Sequence, residues 1–173
     1  VGSIEWTTDV YTLFQQSNLG CGLGVSTALD WFFSNEERGI ILEDDILPRE
    51  SFFEFCSELL DRHAGDPHVL AISGCNFVPP EFVTGRSAYR FSRVPHMWGW
   101  ATWRRTWNLY DGDISFWPQW KQSTDYNNLF TDNIERKYWT KIFDRIYKNN
   151  SDSMAYPLSA SIWHKGGLSV TPN

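Results

Sequence analysis

Gly39-Ile40-Ile41-Leu42-Glu43-Asp44-Asp45 decides how the chain is organised. Its first four residues run without polar alternation, the pattern of a strand buried on both faces in a parallel sheet. The run then ends in three adjacent carboxylates. On the upstream side, Val25, Ala28, Leu29, Phe32 and Phe33 recur at i, i+3, i+4, i+7 and i+8, which predicts a helix that Gly39 brings to a stop. Further back, Val10 to Gln15 (VYTLFQ) reads as a short strand entering a turn at Ser17-Asn18-Leu19-Gly20. On the downstream side, Ser51 and Glu54 have capping-box spacing, and Phe52, Phe55, Cys56, Leu59 and Leu60 share one face of a helix ending near His63-Ala64-Gly65. Val69 to Gly74 is a second buried strand. Strand, helix, strand, helix, strand is the signature of an α/β domain.

The second half changes character. From Cys75 to about Thr131 the aromatic residues crowd into segments without a sustained period, including His96-Met97-Trp98-Gly99-Trp100-Ala101-Thr102-Trp103. Such a connection inside a domain is usually functional or disordered, and its aromatic content speaks against disorder. A helix follows, capped by Asp132 with Glu135 three residues on, its expected buried stripe being Ile134, Tyr138, Ile142 and Ile146. Ile162-Trp163 and Leu168-Ser169-Val170 suggest a terminal hairpin or edge strand. The reading is thus one domain over 1–173, with an α/β part over 10–76 and an aromatic-rich part over 77–173.

Composition narrows the function. The 173 residues include 15 basic and 21 acidic side chains for a formal charge of −6, with no run of Lys or Arg. That argues against nucleic acid or an anionic membrane surface as the main partner, since either needs clustered positive charge. No apolar run approaches the roughly 18 residues of a transmembrane helix. Cys21, Cys56 and Cys75 lack paired C-x-x-C spacing and read as buried free thiols. An acidic, disulfide-poor chain without a signal-peptide pattern fits the cytoplasm. Aromatics make up 17% of the chain, including 10 Trp; they either fill a core or line a groove where flat faces meet sugar rings or bases.

In open parallel sheets ligands bind beyond the carboxyl ends of the strands, where Glu43-Asp44-Asp45 falls. Three neighbouring carboxylates repel one another, and a divalent cation relieves that repulsion. Carboxylate oxygens suit Mg²⁺ or Mn²⁺, which commonly join one or two protein carboxylates to a substrate's phosphates. The competing reading is a solvated strand-to-helix turn, because acids are common ahead of a helix.

Asn18-Leu19-Gly20, the apolar helix, GIILEDD, Pro48, the Phe-rich helix and Ala71-Ile72-Ser73-Gly74 follow in an order that resembles a known family. They resemble the nucleotide-diphospho-sugar transferases of GT-A fold, in particular bacterial proteins related to the N-acetylglucosaminyltransferase I group, whose metal motif is E-D-D. The likeness covers about Val10 to Asn76, and WGWATWR from Trp98 to Arg104 is also typical of the bacterial members. It implies a Rossmann-like, mixed but mainly parallel sheet flanked by helices, a nucleotide-diphosphate sugar donor, and Mn²⁺ or Mg²⁺ held directly by Asp45. It also places Glu43, Asp44, Asn18 and Gly20 on the donor side. It further implies inverting transfer of the sugar to a hydroxyl of a glycan or glycoconjugate, assisted by a carboxylate base. Trp98, Gly99 and Trp100 are the expected sugar or acceptor wall, and Arg104 and Arg105 are candidates for the diphosphate.

Two departures from the family pattern stand out. The family has a further β-α unit ahead of the Val10 strand, so the expectation is a domain lacking its first unit. Its base lies in a W-D-Y-Q-like string after the long helix, where this chain has Asp152-Ser153-Met154-Ala155-Tyr156-Pro157. Ala155 cannot accept a proton. Asp152 is the nearest substitute, with Asp111 and Asp113 as further candidates. A non-catalytic carbohydrate- or nucleotide-sugar-binding domain is the alternative function.

Overall fold

The computed structural model describes residues 7, 9–83, 86–148 and 152–173. Its strands are β1 (Arg38–Ile41), β2 (Val69–Ser73), β3 (Tyr89–Ser92), β4 (Trp100–Trp103) and β5 (Leu168–Pro172), joined in one sheet of order β1-β4-β2-β5-β3. β2 and β5 pair in parallel, whereas β4 is antiparallel to both β1 and β2, and β3 is antiparallel to β5. The chain is α/β with a mixed sheet, and the expectation of a mainly parallel one is corrected. The cause is β4. All four of its residues are buried, and it enters between β1 and β2.

That insertion also changes β1. Among the described residues it becomes an edge strand, paired with β4 alone and partly accessible, rather than a strand covered on both faces. β1, β2 and β5 nevertheless point the same way, so their carboxyl ends share one edge of the sheet with the start of β4.

The helices of the described residues are α1 (Gly20–Asn35), α2 (Glu50–Arg62), α3 (Arg104–Trp107), α4 (Trp117–Trp120), α5 (Thr124–Asn128), α6 (Asn133–Tyr147) and α7 (Ala155–His164). α2 covers one sheet face, where Cys56, Leu59 and Leu60 pack with Val69, Ile72, Ala101, Trp103 and Val170. Burial pushes the Cys56 thiol up to about 12, because an apolar interior disfavours the thiolate. All three cysteines are free, but only Cys56 is buried; Cys75 is half-buried and Cys21, in the first turn of α1, is exposed, so the expectation of three buried thiols is corrected. The other face holds a larger core drawn from α1, α4, α6 and α7, with Leu70 and Trp100 contributed by the sheet.

That second core explains several differences from the sequence reading. In α6 the buried side chains are Phe143 and Ile146, with Trp139 and Ile142 packed beside them. Ile134 is 77% exposed and Tyr138 57% exposed, so the expected stripe is corrected. Turning the helix this way puts Trp139 and Phe143 against Trp163, at ring distances of 4.6 and 5.8 Å; these rings bury more area than Ile134 and Tyr138 would. Asp132 does cap α6, accepting from Ile134 N–H at 2.9 Å. Glu135 pairs with Arg93 instead of closing the box.

α2 has no side-chain cap. Its first helical residue is Glu50 and its N-cap position is Arg49, so Ser51 lies inside the first turn, two positions too late to cap it. Val10 to Gln15 forms no strand. Among the described residues no strand pairs with it, and Val10, Tyr11, Leu13 and Phe14 are exposed. At the other end, Ile162 and Trp163 belong to α7, and β5 lies between β2 and β3 rather than at an edge.

Candidate functional site

Beyond β1 the chain leaves the sheet through Leu42 and turns. Ile46 N–H donates to the Glu43 carbonyl at 3.2 Å, which puts Asp44 and Asp45 in the middle of a tight turn. All three acidic residues are exposed. After the turn, Pro48 and Arg49 lead into α2, whose first turns return Phe52 and Phe55 toward the same edge.

These elements enclose a cavity of about 480 Å³. Asp45, Ile46, Leu47 and Arg49 line it from the turn, and Phe52 and Phe55 from α2. Cys75 enters from the end of β2, Trp98 and Gly99 from the approach to β4, and Pro172 from the end of β5. The fold therefore brings three sequence-nominated residues, Asp45, Trp98 and Gly99, to one site. Its position, past the carboxyl ends of strands that share a direction, is where open α/β sheets hold ligands.

Two glycines fix the floor. Gly74 N–H donates to the Gly99 carbonyl at 2.8 Å, tying together the turns after β2 and before β4. Gly99 has φ of +64°, in the left-handed region that glycine enters without strain. A Cβ on Gly74 would fall 2.1 Å from the Phe52 ring and 2.5 Å from the Gly99 carbonyl oxygen. Any side chain there would displace that ring. Burial raises the Cys75 thiol, and a backbone hydrogen bond from Trp98 offsets part of the rise.

Trp100 is placed elsewhere. It is 1% exposed and packs in the larger core, so the expected wall reduces to Trp98 and Gly99. The alternation of β4 is the reason: Gly99 ends the turn, and the next side chain already points into the sheet's packed face. Arg104 and Arg105 lie at the far end of β4. Arg104 pairs with Glu37 at 2.6 Å, and Arg105 donates to the carbonyls of His63, Asp66 and Val69. They hold the opposite edge of the sheet rather than a diphosphate near Asp45.

Asn18, Gly20 and Asp152 form a second cluster at the start of α1. The Asn18 Oδ1 accepts from Gly20 N–H at 2.8 Å. The Asp152 carboxylate accepts from Cys21 N–H at 3.1 Å and from Gly22 N–H at 2.6 Å. Asp152 thus satisfies two of the donors left open at a helix start. α1 leads back to the start of β1 and α7 to the start of β5, so this cluster faces the same sheet edge as the acidic turn. Asp111 is engaged as well, accepting from Ser115 N–H at 2.7 Å and from Ser115 Oγ at 2.6 Å.

Among the described residues no group of three or more His, Cys, Asp or Glu is gathered for a metal ion. One exposed carboxylate on a tight turn still fits the mode in which Mg²⁺ or Mn²⁺ takes most of its oxygens from substrate phosphates and water. Of the three acidic residues of the turn, Asp45 is the one that lines the cavity. The sequence reading missed Leu47, Cys75 and Pro172 as cavity residues and assigned Phe52 and Phe55 only to a helix face. The usable signal was two Phe at i, i+3 in a helix opening directly after a strand-end turn. No helix of the described residues is long and apolar enough to cross a membrane. Comparison of the chain with protein-family models, with curated proteins and with solved structures gives no match.

Proposed function

We propose that the chain is the α/β domain of a metal-dependent glycosyltransferase of GT-A type, moving a sugar from a nucleotide-diphosphate donor to a hydroxyl of a glycan or glycoconjugate. The observation that carries this is the shared cavity: Asp45 of the E-D-D turn lines it together with Trp98 and Gly99. The ordered resemblance from Asn18 to Gly74 supports the same reading. Asp45 would hold Mn²⁺ or Mg²⁺, which when bound supplies positive charge to a departing diphosphate. Glu43 and Asp44, exposed on the same turn, face the donor side, and the Trp98 ring offers a flat apolar face to the acceptor.

A second reading has its own observation. Asp152 is occupied in capping α1 and Ala155 has no carboxylate, which favours a domain that binds a nucleotide sugar or carbohydrate without turning it over. Calorimetry with a panel of nucleotide sugars, with and without Mn²⁺, and a donor-hydrolysis assay separate the two. Metal-dependent binding with turnover is expected, and binding alone favours the second reading. Asp45→Ala is expected to abolish the Mn²⁺ dependence of donor binding; an undiminished dependence would falsify the metal assignment.

A further inference from the structure

We propose that the cavity beside Asp45 takes the apolar chain of an amphiphilic acceptor whose neutral, hydroxylated head lies at the acidic turn. The proposal rests on the transferase reading for the role of the bound molecule, but not for its binding. The cavity wall is mainly carbon, supplied by Ile46, Leu47, Phe52, Phe55, Trp98 and Pro172, while polar groups such as Asp45 and Arg49 belong to the turn. A free saccharide loses water from every hydroxyl it buries and needs a partner for each. This wall offers few. An alkyl chain needs none.

The mouth of the cavity points the same way. Leu47 is 97% exposed and Trp98 55% exposed, although both line the cavity. Leu42 lies against the Gly99 turn and is also exposed. Single exposed apolar side chains are ordinary, but a group of them around a cavity marks a ligand groove. The volume of about 480 Å³ is in the range that encloses one small molecule. Asp45 in the lining, with Glu43 and Asp44 beside it on the same exposed turn, disfavours the anionic headgroups of a bilayer, so one amphiphile with an uncharged head fits better than an anionic membrane.

The test uses the full chain and alkyl β-glucosides with methyl, butyl, hexyl and octyl chains, each kept monomeric, followed by calorimetry and tryptophan fluorescence. Affinity is expected to rise about tenfold for every two methylenes added, with no detectable binding of the methyl glucoside. Leu47→Ser and Trp98→Ser are each expected to weaken octyl binding about fivefold or more, while Ile134→Ser, on the exposed face of α6, leaves it unchanged. Equal affinity across the series overturns the proposal. So does a chain-length dependence that persists undiminished in both cavity variants, or binding to neutral phosphatidylcholine vesicles without binding to the monomers. Mn²⁺-dependent nucleotide-sugar binding is measured in parallel on the unaltered chain. Loss of alkyl-glucoside binding with donor binding intact defeats this proposal alone; donor binding absent with alkyl-glucoside binding intact defeats the transferase reading alone.

Discussion

Trp117 is 2% exposed and Trp98 is 55% exposed, although both come from the aromatic-rich half of the chain. Trp117 stands 4.9 Å from Tyr126 and 5.2 Å from Phe143, ring edge to ring face in both cases. Its indole N–H donates to Asp144 Oδ1 at 2.9 Å, and Lys121 Nζ reaches the same carboxylate at 2.8 Å. Burial of Asp144 pushes its carboxyl up, but the hydrogen bonds from Lys121 and Trp117 outweigh this and leave it below the usual value. Trp98 has no such enclosure. It sits after a turn and before β4, with a cavity on one side and water on the other. The same residue type builds a core where helices converge on it, and a groove where a turn holds it at the sheet's edge.

The sharpest way to break this comparison is to truncate the core ring. Trp117→Ala removes a fully enclosed indole and leaves the Asp144 carboxylate with one donor fewer, so the expected cost is about 3–5 kcal/mol of unfolding free energy. Urea denaturation followed by circular dichroism measures it. That is a large part of the roughly 5–15 kcal/mol that holds a domain of this size together. A loss below about 1 kcal/mol would mean that the aromatic cluster can be repacked at will and is not the organising core.

A smaller effect is expected at Asp152, which caps the start of α1. Asp152→Ala removes the acceptor for Cys21 N–H and Gly22 N–H and should cost about 1 kcal/mol, whereas Asp152→Asn keeps a capping oxygen and should cost less. Equal stability of all three proteins, together with loss of sugar transfer in both variants, would return Asp152 to the role of base.

Much of the first half was legible because its signals are local. The periods of α1 and α2 and the unbroken run of β2 need no knowledge of their neighbours, and the structure places these elements close to where the periods put them. What failed was non-local. Trp100 to Trp103 carries no pattern that identifies it as a strand between β1 and β2, because its partners lie far away in sequence. Ile134 and Tyr138 have the right spacing for a buried stripe, but the choice of face fell to the rings that Trp163 and Trp117 present to α6. At the site, the acidic turn was readable as a strand end. Leu47, Cys75 and Pro172 were not, since only the closed sheet brings the ends of β2 and β5 beside that turn.

An effect on stability no larger than that of Asp152→Ala is expected at Trp98 itself. More than half of its surface is in water, and replacing the ring with Ala opens the cavity further to solvent instead of leaving a dry void. The cavity penalty that dominates enclosed sites is therefore absent, and Trp98→Ala should cost about 1 kcal/mol in the same urea experiment. The backbone of the turn does not depend on the indole: the bond from Gly74 N–H to the Gly99 carbonyl and the left-handed φ at Gly99 belong to the glycines. A cost of about 3 kcal/mol or more would show that the ring braces this turn. Trp98 would then belong with Trp117 in one continuous core, and its exposed face would be a by-product of packing rather than a surface kept open for a ligand.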